Sequence, residues 1–198
     1  MNEKPTTRER IRREAAALFR EKGFNGASMA DLAAEVGMTK SSLYHHFPSK
    51  QALLSEIVEL TVSRVTPMLE EIIALDLPVA ERLRQAVIRH TVEGIRDRDA
   101  LACFVEEGRF LDSDFMVAHV AKRDKYENLF RSLFEEGMAG GGFIEQDVGV
   151  AVRAVLGMCN SVVRWYRPGG DRTPEEIAAL FADFALRGAA RPEVSVLD

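Results

Sequence analysis

Residues 28–47 read SMADLAAEVGMTKSSLYHHF, and the architecture is legible from this stretch first. Met29, Leu32, Ala33 and Val36 recur at helical spacing, so 28–36 predicts one short helix. Ser28 and Asp31 stand three apart at its start, the arrangement of a capping box. Gly37 interrupts the pattern, and Thr39 can cap a second short helix that runs to Phe47. Leu43 and Phe47, at i and i+4, form the inner edge of that second helix. At about 100° per residue, Ser41 and His45 point most nearly away from that edge, with Ser42 and Tyr44 beside them. Two short helices joined by a glycine-containing turn, the second rich in small and polar side chains, form a helix-turn-helix pattern. Small residues let the helix backbone approach a groove floor. Ser, Thr and His then meet base edges or phosphates, and the helix N-terminus itself favours a phosphate.

Beyond this segment the apolar spacing stays helical. Ile11, Ala15, Leu18 and Phe19 share one face. Wide stripes follow over 50–75 (Leu53, Ile57, Leu60, Val65, Met68, Leu69, Ile72), over 79–97 (Leu83, Val87, His90, Ile95) and over 114–138 (Tyr126, Phe130, Leu133, Phe134). Ser49, and Thr173 with Pro174 and Glu176, read as further helix starts, while Gly140, Gly141 and Gly142 end a helix. No segment alternates with period two between hairpin turns. The chain therefore reads as all-α, with about nine helices. The tail at 191–198 has no periodic pattern and is expected to be frayed.

The 198 residues are 46% hydrophobic and 29% charged, an ordinary globular composition that excludes global disorder. Two cysteines, Cys103 and Cys159, exclude a disulfide scaffold or a cysteine-rich zinc site. The first 16 residues are charged and lack the apolar core of a secretory signal. The apolar stretch 148–163 is interrupted by Arg153 and reads as too short for a membrane span. A soluble, cytoplasmic protein is expected. The net charge of -5 hides an asymmetry. Residues 1–50 carry nine basic and six acidic side chains, a net +3, against 17 and 25, a net -8, over 51–198. A basic head on an acidic body fits a small nucleic-acid reader joined to a part that does not bind nucleic acid.

Residues 7–54 resemble the N-terminal DNA-binding domain of the TetR family of transcriptional repressors. The likeness runs through Arg8, Ala15, Leu18-Phe19, Gly23-Phe24, Ser28-Met29-Ala30-Asp31-Leu32-Ala33, and the continuous stretch from Val36 to Lys50, with Leu53-Leu54 beyond it. It implies a DNA-binding domain at 1–50 with a three-helix head, and a helical ligand-binding and dimerisation bundle at 51–190. It also implies that Thr39, Lys40, Ser41, Ser42, His45 and His46 face the major groove. Tyr44 and Lys50 match the family's usual phosphate contacts, and Ser28 stands where a capping hydroxyl meets a phosphate. His45 and His46 diverge by about 100° on a helix, and no third ligand lies near them in sequence, so no metal or other cofactor is expected.

The remainder is less explicit. On the helix expected over 147–166, Val148, Val152, Val155, Cys159 and Val162 form one stripe, and Ala151, Ala154, Met158 and Ser161 a second. On the last helix, Ile177, Leu180, Phe181 and Phe184 read as the core stripe, with Ala178, Ala182 and Leu186 on the next face. Apolar residues on two faces mean burial on two sides. The second side is expected to meet another subunit in a two-fold four-helix bundle, through Ala151, Ala154, Met158, Ser161, Ala178, Phe181, Ala182 and Leu186. Such a dimer would read a palindromic operator with both heads.

The segment WYRPGG, residues 165–170, is similar to one in a TetR subgroup that senses acyl-CoA thioesters. Arg164, with Arg167 and Arg172, would neutralise CoA phosphates, and Trp165 or Tyr166 would stack on adenine. A helix terminator accounts for the same residues. Candidate pocket residues are Phe104, Tyr126, Phe130, Met158 and Asn160, besides Arg164 and Trp165. Asn160 sits in an apolar run and needs a partner, either a ligand carbonyl or a neighbouring backbone group. The sequence carries no nucleophile elbow, phosphate-binding glycine loop after a strand, or HExxH, so no catalytic residue and no enzyme are expected. The expectation is a ligand-responsive repressor that binds double-stranded operator DNA as a homodimer and is released by a small-molecule effector.

Overall fold

The computed structural model describes residues 5–191. Ten α-helical segments succeed one another: α1 Thr7–Gly26, α2 Met29–Glu35, α3 Lys40–His46, α4 Lys50–Ile73, α5 Val79–Arg96, α6 Arg98–Ala102, α7 Ser113–Ala139, α8 Val148–Asn160, α9 Val162–Trp165 and α10 Pro174–Ala189. A π-helical turn at Cys103–Glu107 and a 3-10 turn at Gly108–Phe110 lead from α6 towards α7. The described residues hold no strand, only an isolated bridge between Phe143 and Ala190. The fold is all-α, as its apolar spacing predicts. One boundary differs: the helix expected over 147–166 breaks at Ser161, so α9 is a single separate turn. Apart from Arg191, the tail expected to fray lies outside the described residues.

The helix starts follow local chemistry. Thr6–Glu9, Ser28–Asp31 and Thr173–Glu176 close full capping boxes, and Thr39 and Asp147 cap α3 and α8 through side-chain oxygens. Each cap satisfies backbone N–H groups that have no intrahelical acceptor.

The chain divides into two compact units. One comprises the residues up to Arg64 together with Asp97–Arg123; the other comprises Val65–Arg96 together with the residues from Asp124 onward. The first unit has a core of Ile11, Phe19, Leu32, Leu43, Phe47, Leu53 and Leu54, joined by Ala100, Cys103 and Leu111. Its second segment is tied to the C-terminal part of α1. Glu107 accepts the Phe24 N–H at 3.0 Å, Phe110 stacks on Phe24 at 6.1 Å, and Arg20 pairs with Asp99 at 2.5 Å. Glu107 is therefore a tie within the unit.

The second unit is built on Leu83, Val87, Phe130, Leu133, Phe134, Phe143, Val152 and Cys159. Gly137 makes room for Phe143: a Cβ there would lie 2.1 Å from the ring. Helix α10 packs along α5. Here α10 departs from the expectation in part: Ile177 is buried as expected, but the alanines and the bulkier residues of the two faces exchange places. Ala178 and Ala182 are fully buried, while Leu180 is 40% and Phe184 65% exposed. The reason is steric, since alanines let two helix axes come close and the bulky residues are left outside. Ala178 and Ala182 are thus core residues within the chain and offer no surface to a partner. The stretch Val148–Trp165 has the length and apolarity of a membrane crossing, contrary to the reading from Arg153. Val152, Val155, Leu156 and Cys159 bury its inner face in the second unit, which accounts for that composition.

Candidate functional site

The turn between α2 and α3 is a Schellman motif. The Met38 N–H donates to the Ala33 carbonyl at 2.8 Å and the Gly37 N–H to that of Ala34 at 3.1 Å, with Gly37 at φ 65°. A left-handed residue is required there, which is why the helix stops at a glycine. Thr39 accepts the Ser42 N–H at 3.1 Å and starts α3. Leu43 and Phe47 are wholly buried and fix the roll of α3. That roll leaves Lys40, Ser41, Tyr44 and His45 exposed, with Ser42 and His46 half-buried. The Lys40 ammonium stands 6.0 Å from the Tyr44 ring centroid. Six of the sequence-selected residues therefore share one short helix and its outer face or edges, and Thr39 caps it.

Two selected residues are engaged within the chain. Ser28 donates its hydroxyl proton to Asp31 Oδ2 at 2.6 Å and accepts the Asp31 N–H at 3.1 Å. These bonds hold the Asp31 carboxyl below its ordinary range, the hydroxyl contributing most. Lys50 donates to the carbonyls of Phe24 at 2.7 Å and Ala27 at 2.8 Å, with its ammonium 4.3 Å from the Phe24 ring centroid. Two of its three N–H donors thus anchor α4 to the end of α1, and one remains.

A second brace is not visible as a motif. Arg8 donates to the His46 carbonyl at 2.8 Å, lies 4.2 Å over the Phe47 ring, and pairs with Glu56; Arg12 reaches the same carboxylate at 2.5 Å. The Arg8 hydrogen bonds, and then those of Arg12, hold the Glu56 carboxyl below its usual range against the opposing effect of burial. The C-terminal end of α3 is thereby fixed to α1 and α4. Residues 8 and 56 are far apart in sequence, so no local spacing reveals the pair.

The candidate effector residues do not form one cluster. Phe104 belongs to the first unit, edge-on to His119 at 5.2 Å. Tyr126, Phe130 and Asn160 converge in the second unit around His90: Tyr126 Oη is 2.8 Å from His90 Nδ1, and Asn160 Oδ1 is 3.0 Å from Nε2. The partner of the Asn160 oxygen is thus a side chain, outside both alternatives that the sequence suggests. Trp165 is half exposed and donates its indole N–H to Ser161 Oγ at 3.0 Å; Ser161 in turn donates to the Met158 carbonyl at 2.7 Å. Ser161 therefore serves the helix break. Arg164 is exposed. Met158 lines a shallow groove of about 180 Å³ with Ala151, Ala154, Phe184 and Gly188. Phe181 and Leu186 are half-buried, and Phe181 meets the Trp165 ring at 6.1 Å. Burial pushes the Cys159 thiol up to about 12 and raises Cys103 as well, so neither is a thiolate at neutral pH.

Comparison with known proteins agrees with this architecture. Residues 11–57 match the family described as bacterial regulatory proteins, tetR family, and residues 76–189 match the tetracyclin repressor-like C-terminal domain. The chain is 30% identical over 181 residues to the HTH-type transcriptional repressor KstR2 of Rhodococcus jostii, covering 90% of this chain and 88% of that one. The crystal structure of the TetR family regulator PfmR from Thermus thermophilus superposes with a TM-score of 0.83 at 35% identity, covering 92% of this chain and all of that one. The structure of AibR in complex with isovaleryl coenzyme A and operator DNA superposes with a TM-score of 0.81 at 25% identity, covering 89% and 96%. With a helix-turn-helix head braced as described and both halves matched, the chain belongs to the TetR family of DNA-binding transcriptional regulators.

Proposed function

We propose that the protein is a repressor that binds a palindromic operator as a homodimer and is released by a small-molecule effector, an acyl-CoA thioester. The observation that carries the DNA half is the exposed polar face of α3 on a head braced by Arg8, Glu56 and Lys50. In this reading residues 1–50 are the reader and 51–190 the effector and dimerisation part. Thr39, Lys40, Ser41, Ser42, His45 and His46 meet the major groove; Tyr44, Ser28 and the spare N–H of Lys50 meet phosphates. The protein works in the cytoplasm, where its operator is.

The dimer face is the outward side of α8 and α10. Ala151, Ala154 and Met158 contribute to it, with Leu180 and Phe184 in the place first given to Ala178 and Ala182. Gln146 lines the same groove, and its side-chain N–H group is buried without a partner among the described residues. The relatives support each half in turn: KstR2 is named a transcriptional repressor, and the AibR structure is a complex with isovaleryl coenzyme A and operator DNA. Arg164, Arg167 and Arg172 supply phosphate partners, Trp165 a stacking surface, and Tyr126, Phe130 and Asn160 the acyl end. Effector binding shifts the population of head spacings, and a coupling of about 1–3 kcal/mol weakens operator binding roughly 5–150-fold.

The test is fluorescence anisotropy on the DNA flanking the protein's own gene, with random DNA as control, at fixed salt, with and without isovaleryl-CoA and longer acyl-CoAs. Specific binding released by a thioester is expected, and His45→Ala is expected to narrow the gap between operator and random DNA. Equal affinity for both DNAs would sink the repressor reading. Specific binding indifferent to every thioester would sink the effector class alone.

A further inference from the structure

His90 of α5, Tyr126 of α7 and Asn160 of α8 meet in the second unit as a hydrogen-bonded relay in apolar surroundings. The Phe130 ring lies 5.6 Å from that of Tyr126 and 6.1 Å from that of His90. Thr91, on the next position of α5, is turned to its own helix through the Val87 carbonyl at 2.8 Å. The direction of the relay follows from its chemistry. Asn160 Oδ1 carries no proton, so His90 Nε2 must donate to it. Burial disfavours the imidazolium, so Nδ1 keeps its lone pair and accepts the Tyr126 O–H. Burial likewise keeps the tyrosine protonated. Both nitrogens of His90 and the one proton of Tyr126 are then used. The Asn160 amide nitrogen is not: it has two N–H donors, and no hydrogen bond from it to another described residue exists.

We propose that the effector presents a carbonyl oxygen to the Asn160 amide N–H, and that His90 and Tyr126 are positioning residues that hold the amide in this sense. The inference rests on the reading above of Tyr126, Phe130 and Asn160 as effector-binding residues. A thioester or ketone oxygen is a neutral acceptor, and a neutral amide donor meets it without any charge to compensate. A free carboxylate would bring a charge to a relay that contains no cation. A thioether or an alkane would leave the amide donors unmet. The relay therefore selects the carbonyl.

Two experiments test this, the first without any ligand. In 15N-imidazole NMR at neutral pH, with His90→Gln used to assign the signal, His90 is expected as the neutral tautomer protonated at Nε2. The opposite tautomer, or a cation, overturns the polarity of the relay. In calorimetry, octanoyl-CoA is expected to bind about tenfold tighter than S-octyl-CoA, the thioether without the carbonyl, a difference of about 1.4 kcal/mol. Asn160→Leu is expected to erase that ratio, as is His90→Phe, while His90→Gln, which keeps an N–H donor, restores much of it; thermal melts check that each variant folds. Equal affinity for thioester and thioether overturns the carbonyl and leaves the CoA reading standing. If no CoA derivative binds, the CoA reading fails, and 2-undecanone against undecanoate decides the carbonyl: selective binding of the ketone supports it, and equal or absent binding overturns it.

Discussion

Replacing Lys50 with methionine separates two roles that one ammonium holds at once. Its bonds to the Phe24 and Ala27 carbonyls, at 2.7 and 2.8 Å, and its place 4.3 Å from the Phe24 ring tie the start of α4 to the end of α1 and its C-cap. Hydrogen bonds to a charged group contribute about 1.5–3 kcal/mol each, and a part-exposed cation–π contact about 0.5–1 kcal/mol. Lys50 is half-buried, so water meets the freed carbonyls in part and the low end applies. The expected loss is about 3–4 kcal/mol, or roughly 6–16 °C in Tm for a chain of this size. Denaturant unfolding followed by circular dichroism measures it, and methionine keeps the apolar stem in place. A loss below about 0.5 kcal/mol would refute the tether, since even one charged hydrogen bond contributes more than that. Operator binding as a function of salt, well below the melting transition, reads the other role. A phosphate contact contributes about 0.9 to the slope of log K against log salt. A fall in the slope of that size supports the contact; an unchanged slope with reduced stability leaves Lys50 as an anchor alone.

Three further outcomes are expected. Gly137→Ala places a methyl group 2.1 Å from the Phe143 ring and should cost about 1–3 kcal/mol by denaturant unfolding, with Phe143→Leu recovering part of it; a neutral effect would contradict the packing of α7 on Phe143. Phe184→Glu, on the outward face of α10, should give a folded monomer in sedimentation, whereas Ala182→Glu, at a fully buried site, should unfold the second unit; a dimer that survives Phe184→Glu would refute that face. The Glu56 carboxyl is held below its ordinary range by Arg8 and Arg12, so its contribution is present at neutral pH and is lost as pH falls below the ordinary glutamate range. Glu56→Gln should therefore flatten the acid limb of the stability curve, and an identical limb in both proteins would show that this brace carries no weight.

Whatever depends on near neighbours along the chain is legible in the sequence. Helix starts at Ser28, Thr39 and Thr173, the stop at Gly37, and the inward setting of Leu43 and Phe47 are matters of three or four residues, and they place the polar face of α3 outward. Packing in three dimensions settles which of two apolar faces goes inside. On α10 both faces are apolar, and periodicity cannot rank them; the alanines went in because they let α10 lie close along α5, and Phe184 stayed out. Packing also chooses the partners of long polar side chains. Lys50, Glu56, Glu107 and Asn160 each satisfy a group more than 20 residues away in sequence. Hydrogen-bond direction and ion pairing are set by where side chains meet in space, and one-dimensional spacing carries no record of that.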